Sequence, residues 1–333
     1  MPKRDFLSIQ DFQAEELENL LALAARMKVR NNASLPLTGK TLGLIFYNKS
    51  LRTRVSFEVA MEQLGGQSVN LSVGLDLWQT EAEEGVAMDG IAAEHVKDAA
   101  KVMSRYLDAI AVRRFPQWRS FEQDRADRTL RAYARYADVP VINLESCTEH
   151  PCQALGDLLT LREMEGSLRG KPLTLTWTFH PVPLSMAVSN SLLLAATRFG
   201  LNVTLAHPEG YPLPDEVLEQ GRANAHESGG RLEICHDLPE ALEGARFVYA
   251  DSWASIPHYG TDRDIELRER YRSWCLSEQL MQHTAGAQLL HPLPVRRNVA
   301  VTDEVLDGPR SLIYQQAENR LHAQKALLTT LIR

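Results

Sequence analysis

The sequence contains no long apolar run. Nothing in its 333 residues approaches the roughly 18 consecutive apolar residues that a membrane-crossing helix needs, which argues against a helical membrane protein. Cysteine is also scarce. The four thiols, Cys147, Cys152, Cys235 and Cys275, show neither C-x-x-C pairing nor zinc spacing, so no disulfide and no structural metal are expected. Cys147 and Cys152, at an HPCQ run, read as small, reduced, partly buried side chains. Positive charge is not in excess. A net charge of −7 argues against general nucleic-acid binding, while leaving room for a local basic pocket. No G-x-G-x-x-G follows a strand-like run and no G-x-x-x-x-G-K-[ST] occurs, which disfavours two common nucleotide-binding folds. The N-terminal MPKRDFLSIQDF is basic but has no apolar run behind it. A secretory signal is therefore not expected, and the cytoplasm is the expected compartment. There are no repeats or low-complexity segments.

What is present is a long alternation of strand-like and helix-like segments. The length suits two domains of ordinary size. An amphipathic helix is expected over Ala14 to Lys28, with Leu17, Leu20, Leu21 and Ala24 on one face. TLGLIF (41–46), QSVNLSV, DAIAVRR and VPVINL read as strands with helices between them. A second series follows: PLTLTWT, LNVTLAHP, RLEICHD, FVYADSW and AQLLHPL. This pattern predicts an α/β fold of two domains, each a parallel sheet with helices on both faces, and an active site in the interdomain cleft. The division is placed at 1–150 and 151–315. In such sheets ligands bind beyond the carboxyl ends of the strands. His150, Asp251, His291 and the run at Ser50 all fall there.

That run, FYNKSLRTRVSFE, is the most informative in the chain. Ser50, Leu51, Arg52, Thr53 and Arg54 follow an apolar strand and precede a helix-like SFEVAMEQLGG. The first N–H groups of a helix lack intrahelical partners and sit at the positive end of its dipole. Two guanidinium groups and two hydroxyls add charge-assisted bonds suited to phosphate. An arginine pair on a solvated helix end is the competing reading.

The S-x-R-T-R run, Arg113 in IAVRRF, HPCQ at His150 to Gln153 and HPLP at His291 to Pro294 occur in this order. Together they resemble the aspartate/ornithine carbamoyltransferase family over nearly the whole chain. The resemblance implies carbamoyl phosphate as donor, an amino-acid acceptor, no cofactor, and a homotrimer with sites at subunit interfaces. It implies that Ser50, Leu51, Arg52, Thr53 and Arg54 grip the phosphate. Arg52, Arg113 and His150 would serve the carbonyl oxygen and phosphate as catalytic residues. Gln153 and the backbone at Pro292 and Leu293 would meet the carbamoyl NH₂ group, and Arg320 in AENRLHAQKA would reach the same donor. The last helix, 316–333, is expected to pack back on the first domain.

Within the family, WTFHPVPLSMAVSNS, LWQTEAEEGVAMDG, PVRRN and AENR are most similar to the N-acylornithine transcarbamylases, acetyl or succinyl type. Trp78, Ala93, Glu145, His180, Asp251, Ser255 and Arg296 are thereby the expected acceptor-binding residues, with Trp78 acting on a neighbouring subunit. Three positions depart from the acetyl type. Asp251 and Ala300 stand where that type has lysines, and Ala93 stands where acyl-type members have Glu or Pro. The D-x-W-x-S pattern from Asp251 to Ser255 resembles free-ornithine enzymes instead. Glu81, Glu83 and Glu84 disfavour an anionic acceptor and suggest selection for a second cationic amine, or simply a solvated acidic loop. The expected reaction carbamoylates the side-chain amine of N-acetyl- or N-succinylornithine, with ornithine or another diamino acid as rival. A non-catalytic anion-binding paralogue is the alternative of another class.

Overall fold

The computed structural model describes residues 3–29 and 35–332. Met1 and Pro2 of the N-terminal reading and Arg333 of the expected last helix lie outside the described residues. The chain divides into two compact units. The first comprises Met1–Gln117, Glu122–Leu155 and Arg320–Arg333, the second Trp118–Phe121 and Gly156–Asn319.

The first unit holds a four-stranded sheet in the order Gln67–Ser72, Thr41–Phe46, Ala109–Arg113, Val141–Glu145. All neighbours are parallel. The strands Ala109–Arg113 and Val141–Glu145 are buried at every residue, as continuous apolar runs in a parallel sheet require. The edge strand Gln67–Ser72 has no fully buried residue. Thr41–Phe46 connects to one neighbour on its outer side and to the other inward, so the strand order reverses between Thr41–Phe46 and Ala109–Arg113. Crevices at such switch points are where ligands bind in open α/β sheets.

The second unit holds a five-stranded parallel sheet in the order Gln288–Leu290, Phe247–Asp251, Pro172–Trp177, Asn202–Ala206, Arg231–Cys235. Its order reverses between Pro172–Trp177 and Phe247–Asp251. Trp177, Trp253, Tyr211, Tyr249 and Phe247 are among its largest fully buried side chains.

The helix after the first strand starts earlier than its apolar pattern suggests. It spans Arg52–Gln63, so the Arg-Thr-Arg run forms its first turn and is not a preceding loop. It ends at Gly65, where φ is +83°. Gly65 N–H donates to the Glu62 carbonyl and Gly66 N–H to that of Met61, a left-handed glycine cap that satisfies the last carbonyls. The helix Asp262–Arg268 has no apolar periodicity and was not expected. The last helix runs Ile313–Leu331, longer at its start than the apolar pattern, and its residues from Arg320 onward belong to the first unit.

Candidate active site

The first unit gathers charge at its switch point. Leu51, the N-cap of helix Arg52–Gln63, makes no side-chain capping bond. Among the described residues the first-turn N–H groups are thus left to an outside acceptor, at the positive end of the dipole. Arg113 ends its strand, and a register shift at Val112/Arg113 pairs it with Glu145. Such irregularities re-aim side chains at strand ends. Here Arg113 Nη1 lies 2.5 Å from Glu145 Oε2. The same carboxylate oxygen is 3.5 Å from His150 Nε2.

His150 reaches this point through the turn 146–149. Asp127, a buried carboxylate held by no sequence motif, accepts bonds from Ser146 Oγ, the Cys147 amide and Thr148 Oγ1. His150 then precedes helix Pro151–Glu165, and its carbonyl accepts the Gln153 amide at 3.0 Å. Gln153 is buried. From the far end of the chain, Arg320 Nη2 donates to Thr53 Oγ1 at 2.6 Å.

The electrostatics are those of an anion site. Burial and then the neighbouring Arg113 lower the Arg52 pKa, with Glu145 opposing. Arg320 is lowered to about 10, by burial first and then by Arg113. Burial pushes Glu145 up, with Arg113 the strongest opposing influence. His150 is held well below its ordinary value, by burial first and then by Arg320 and Arg113. It is therefore neutral at neutral pH, a hydrogen-bond partner and not an acid. The Nε atoms of Arg52, Arg113 and Arg320 are buried without a protein partner among the described residues. Buried guanidinium N–H groups of this kind are costly unless an anion meets them.

Arg54 is placed differently. Its guanidinium bonds Asn70 Oδ1 and Ser72 Oγ and lies over the Phe46 ring. It braces the edge strand and does not join the Arg52–Arg113–Arg320 group. Ser50 is half-buried and Leu51 exposed, both directly ahead of the helix.

The second unit places several residues expected to bind the acceptor at the ends of its strands. Asp251 ends strand Phe247–Asp251 and is buried, accepting Ser189 Oγ at 2.6 Å. His180 follows the neighbouring strand. Arg296 Nε donates to His180 Nε2 at 2.8 Å, and His180 Nδ1 lies 2.7 Å from the Val182 carbonyl. Because Nε2 accepts, the proton belongs on Nδ1. His180 is also lowered, chiefly by burial. The HPLP turn contains a left-handed Leu293, φ +52°, and a cis Leu293–Pro294 bond. The Leu293 amide donates to His291 Nδ1, and the His291 amide to Gln316 Oε1. Ser255 is fully buried. Its hydroxyl donates to the Gly210 carbonyl and its amide to Asp264 Oδ2, so it serves the scaffold of this region.

The loop from Val73 to Ala93 carries Trp78, 69% exposed, beside Leu75 at 86% and Ile91 at 91%. Ala93 is exposed, and its amide donates to the Gln79 carbonyl. The loop acids are engaged within the chain. Glu83 pairs with Arg128 and Glu84 with Arg135, while Tyr136 Oη donates to Glu84. Glu81 accepts the Ala82 and Glu83 amides. These contacts favour the reading of a solvated acidic loop, pinned by its acids, over that of selectors of a cationic acceptor. Sequence reasoning missed Asp127, Ser189 and the Asp264–Arg268 pair. The i,i+4 spacing of the last pair was visible, but it lies in a polar stretch that reads as surface.

Residues 4–163 match the family described as aspartate/ornithine carbamoyltransferase, carbamoyl-P binding domain, and residues 185–331 match its Asp/Orn binding domain. The chain is 44% identical to N-acetylornithine carbamoyltransferase of Xanthomonas campestris pv. campestris, covering 100% of this chain and 98% of the relative. It is 39% identical to ornithine carbamoyltransferase of Thermococcus kodakarensis, covering 98% and 95%. A crystal structure of acetylornithine transcarbamylase complexed with acetylcitrulline superposes with a TM-score of 0.97 at 44% identity, covering 99% of each chain. A mutant of N-acetyl-L-ornithine transcarbamylase complexed with carbamyl phosphate and N-succinyl-L-norvaline gives a TM-score of 0.96 at 44% identity, covering 98% and 99%.

Proposed function

The chain belongs to the aspartate/ornithine carbamoyltransferase family, and we propose that it transfers the carbamoyl group of carbamoyl phosphate to the side-chain amine of an N-acylornithine, N-acetyl- or N-succinyl-L-ornithine. The products are the N-acylcitrulline and phosphate, a step of arginine biosynthesis. The observation that carries the donor assignment is the group of three guanidiniums, Arg52, Arg113 and Arg320, around the Glu145 carboxylate, each with a buried Nε that has no partner among the described residues. Such a group suits a dianion with more than one oxygen face.

In the reaction the amine nitrogen attacks the carbamoyl carbon and the C–O bond to phosphate breaks. Charge grows first on the carbonyl oxygen and then on the leaving phosphate. Preplaced donors are most effective against charge that develops in the transition state. Arg52, Thr53 and the first-turn N–H groups of helix Arg52–Gln63 hold the phosphate. Arg113 and neutral His150 face the carbonyl oxygen, and Glu145 holds the Arg113 guanidinium. Gln153 and the turn at Pro292 and Leu293 take the carbamoyl NH₂ group. The proton lost by the amine leaves with the phosphate, so the chain needs no dedicated base. Holding both reactants in line supplies several kcal/mol of the barrier, in the range of about 7–11 for ideal cases.

Trp78, Ala93, Glu145, His180, Asp251 and Arg296 form the acceptor side. Trp78 works in a neighbouring copy of a homotrimer, a reading supported by the exposure of Leu75, Trp78 and Ile91 on one loop. The cytoplasm is the compartment; among the described residues no helix is long and apolar enough to cross a membrane. A second reading, free ornithine as acceptor, is favoured by Asp251, a buried carboxylate at a strand end that suits an α-ammonium.

The test is phosphate release from carbamoyl phosphate with N-acetylornithine, N-succinylornithine, ornithine and aspartate in parallel. Turnover with an acylated acceptor supports the first reading. Turnover with ornithine alone replaces it with the second. No turnover with any of the four overturns both.

A further inference from the structure

One buried ion pair ties the acceptor-side loops of the second unit together. Asp264 and Arg268 sit one turn apart on helix Asp262–Arg268, both at 0% side-chain exposure, with Nη2 and Oδ1 2.8 Å apart. Their remaining bonds do not stay on that helix. Arg268 Nη1 donates to the carbonyls of His180 at 2.9 Å and Val182 at 3.2 Å. Nη2 also lies 3.5 Å from the Trp253 carbonyl. Asp264 Oδ2 accepts the Ser255 amide at 3.1 Å, and Oδ1 accepts the Tyr211 hydroxyl at 2.9 Å. The indole N–H of Trp177 donates to the same Trp253 carbonyl, and that of Trp253 to the Tyr211 carbonyl. The guanidinium carbon stands 5.6 Å from the Tyr211 ring centroid and 6.0 Å from that of Trp177.

The pair therefore braces the loop after Pro172–Trp177, which carries His180, and the loop after Phe247–Asp251, which carries Trp253 and Ser255. These two loops flank the switch point of the second sheet, where a ligand of such a sheet is bound. A buried ion pair is weak evidence for stability, because apolar side chains of similar volume often do as well or better. What apolar replacements cannot do is accept or donate to four backbone groups on two loops at once. Backbone groups so buried would otherwise be unsatisfied.

We propose that Asp264 and Arg268 are positioning residues for acceptor binding: they set the separation of the His180 loop from the Asp251–Ser255 loop and so the affinity for the amino-acid acceptor, without touching carbamoyl phosphate. The role assigned to those loops rests on the function proposed above. The pair acts through backbone that it holds and is not catalytic. Nothing in the apolar pattern of the chain announces it, and it lies outside every motif used to infer the reaction.

The experiment compares wild type with Arg268→Lys and with the double variant Asp264→Leu/Arg268→Met, each as the full-length protein. Arg268→Lys keeps the charge but loses the planar fork that spans three carbonyls and a carboxylate. The double variant removes the charges together, so no lone buried charge remains to unfold the protein. Steady-state kinetics use whichever acceptor the wild type turns over. The expected result is an acceptor KM raised by about tenfold in the double variant and about fivefold in Arg268→Lys, with kcat and carbamoyl phosphate KM within about twofold of wild type. Amide exchange supplies a readout that needs no acceptor. Protection at 179–182 and 252–255 should fall in both variants while that at 52–54 is unchanged. If the wild type turns over none of the acceptors, the function proposed above fails and exchange alone decides the bracing. A folded variant with unaltered exchange in both loops overturns the proposal, as does an unaltered acceptor KM. Should the double variant not fold, Arg268→Lys is decided by the same two readouts.

Discussion

Arg320 donates to Thr53 Oγ1 at 2.6 Å across 267 residues of sequence, placing a guanidinium from the last helix at the first turn of helix Arg52–Gln63. Arg320 is nearly fully buried, and the pKa depression to about 10 records burial and repulsion from Arg113. Without an anion this charge is a burden; with one it is an anchor. Arg320→Met should leave the stability of the ligand-free protein unchanged or raised. It should also abolish most of the stabilisation by carbamoyl phosphate, about 2.7 kcal/mol for wild type at a hundred times Kd. Urea melts with and without carbamoyl phosphate measure both. A loss of ligand-free stability with full ligand stabilisation retained would contradict the assignment.

Arg52 is half-buried at the head of the same helix, and its Nε has no partner among the described residues. Arg52→Ala removes a charged hydrogen-bond donor worth about 1.5–3 kcal/mol. The kcat/KM for carbamoyl phosphate should fall by about 10- to 100-fold or more, since the bond strengthens as phosphate departs. Near wild-type turnover would mean the site lies elsewhere.

Asp251 accepts Ser189 Oγ and lies at a strand end. An α-ammonium would make a charge-assisted bond to it, worth about 1.5–3 kcal/mol, whereas an acyl amide N–H makes one of about 0.5–1.5. Asp251→Asn keeps the shape and the bond from Ser189. It should raise the ratio of kcat/KM for N-acetylornithine over ornithine by about fivefold or more. An unchanged ratio in paired assays removes Asp251 from acceptor selection.

The pairing of Glu83 with Arg128 and Glu84 with Arg135 is exposed. Exposed pairs are worth about 0–1 kcal/mol each. The double substitution Glu83→Gln/Glu84→Gln should lower stability by about 2 kcal/mol at most. It should leave the preference among acceptors where it is. A marked shift away from cationic acceptors would restore a substrate-selecting role to these acids.

Two buried histidines set an acid limit. Burial lowers His207 to about 4 and holds His150 well below its ordinary value. In the unfolded chain both titrate near about 6.5. Below that pH the unfolded state takes up protons that the folded state refuses, so stability is full above about 6.5 and falls as pH falls toward the folded values. The slope is about 1.4 kcal/mol per pH unit for each histidine. Urea melts between about pH 7.5 and about pH 5 should show the loss, and His207→Gln should flatten it by about half. Equal slopes in both proteins would show that His207 does not contribute.

The strands were legible because parallel sheets buried on both faces demand uninterrupted apolar runs, and TLGLIF, AIAVR and VINLE are such runs. The anion-site reading of the Arg-Thr-Arg run rested on chemistry: Arg and Thr at a helix start behind a strand supply charge-assisted donors suited to an anion. Helix Asp262–Arg268 was not legible, because it buries charge instead of apolar surface and so presents no period to read. Arg54 and Ser255 show the converse. Their residue types and places suit a ligand, yet their side chains are taken by Asn70 and Ser72 and by Gly210.

The amino-acid sequence by itself determined the order of elements, the two parallel sheets and the types of donor at the head of helix Arg52–Gln63, because each of these rests on local patterns within a few residues. The tertiary structure alone decided which of those groups share a pocket and which are spent on scaffolding. It set Glu145 against Arg113 through a register shift, brought Arg320 to Thr53, turned the loop acids onto Arg128 and Arg135, and buried Asp264 with Arg268 against the loops that carry His180 and Ser255. Those outcomes depend on strand register and on contacts between residues far apart in the chain, and no local pattern encodes either.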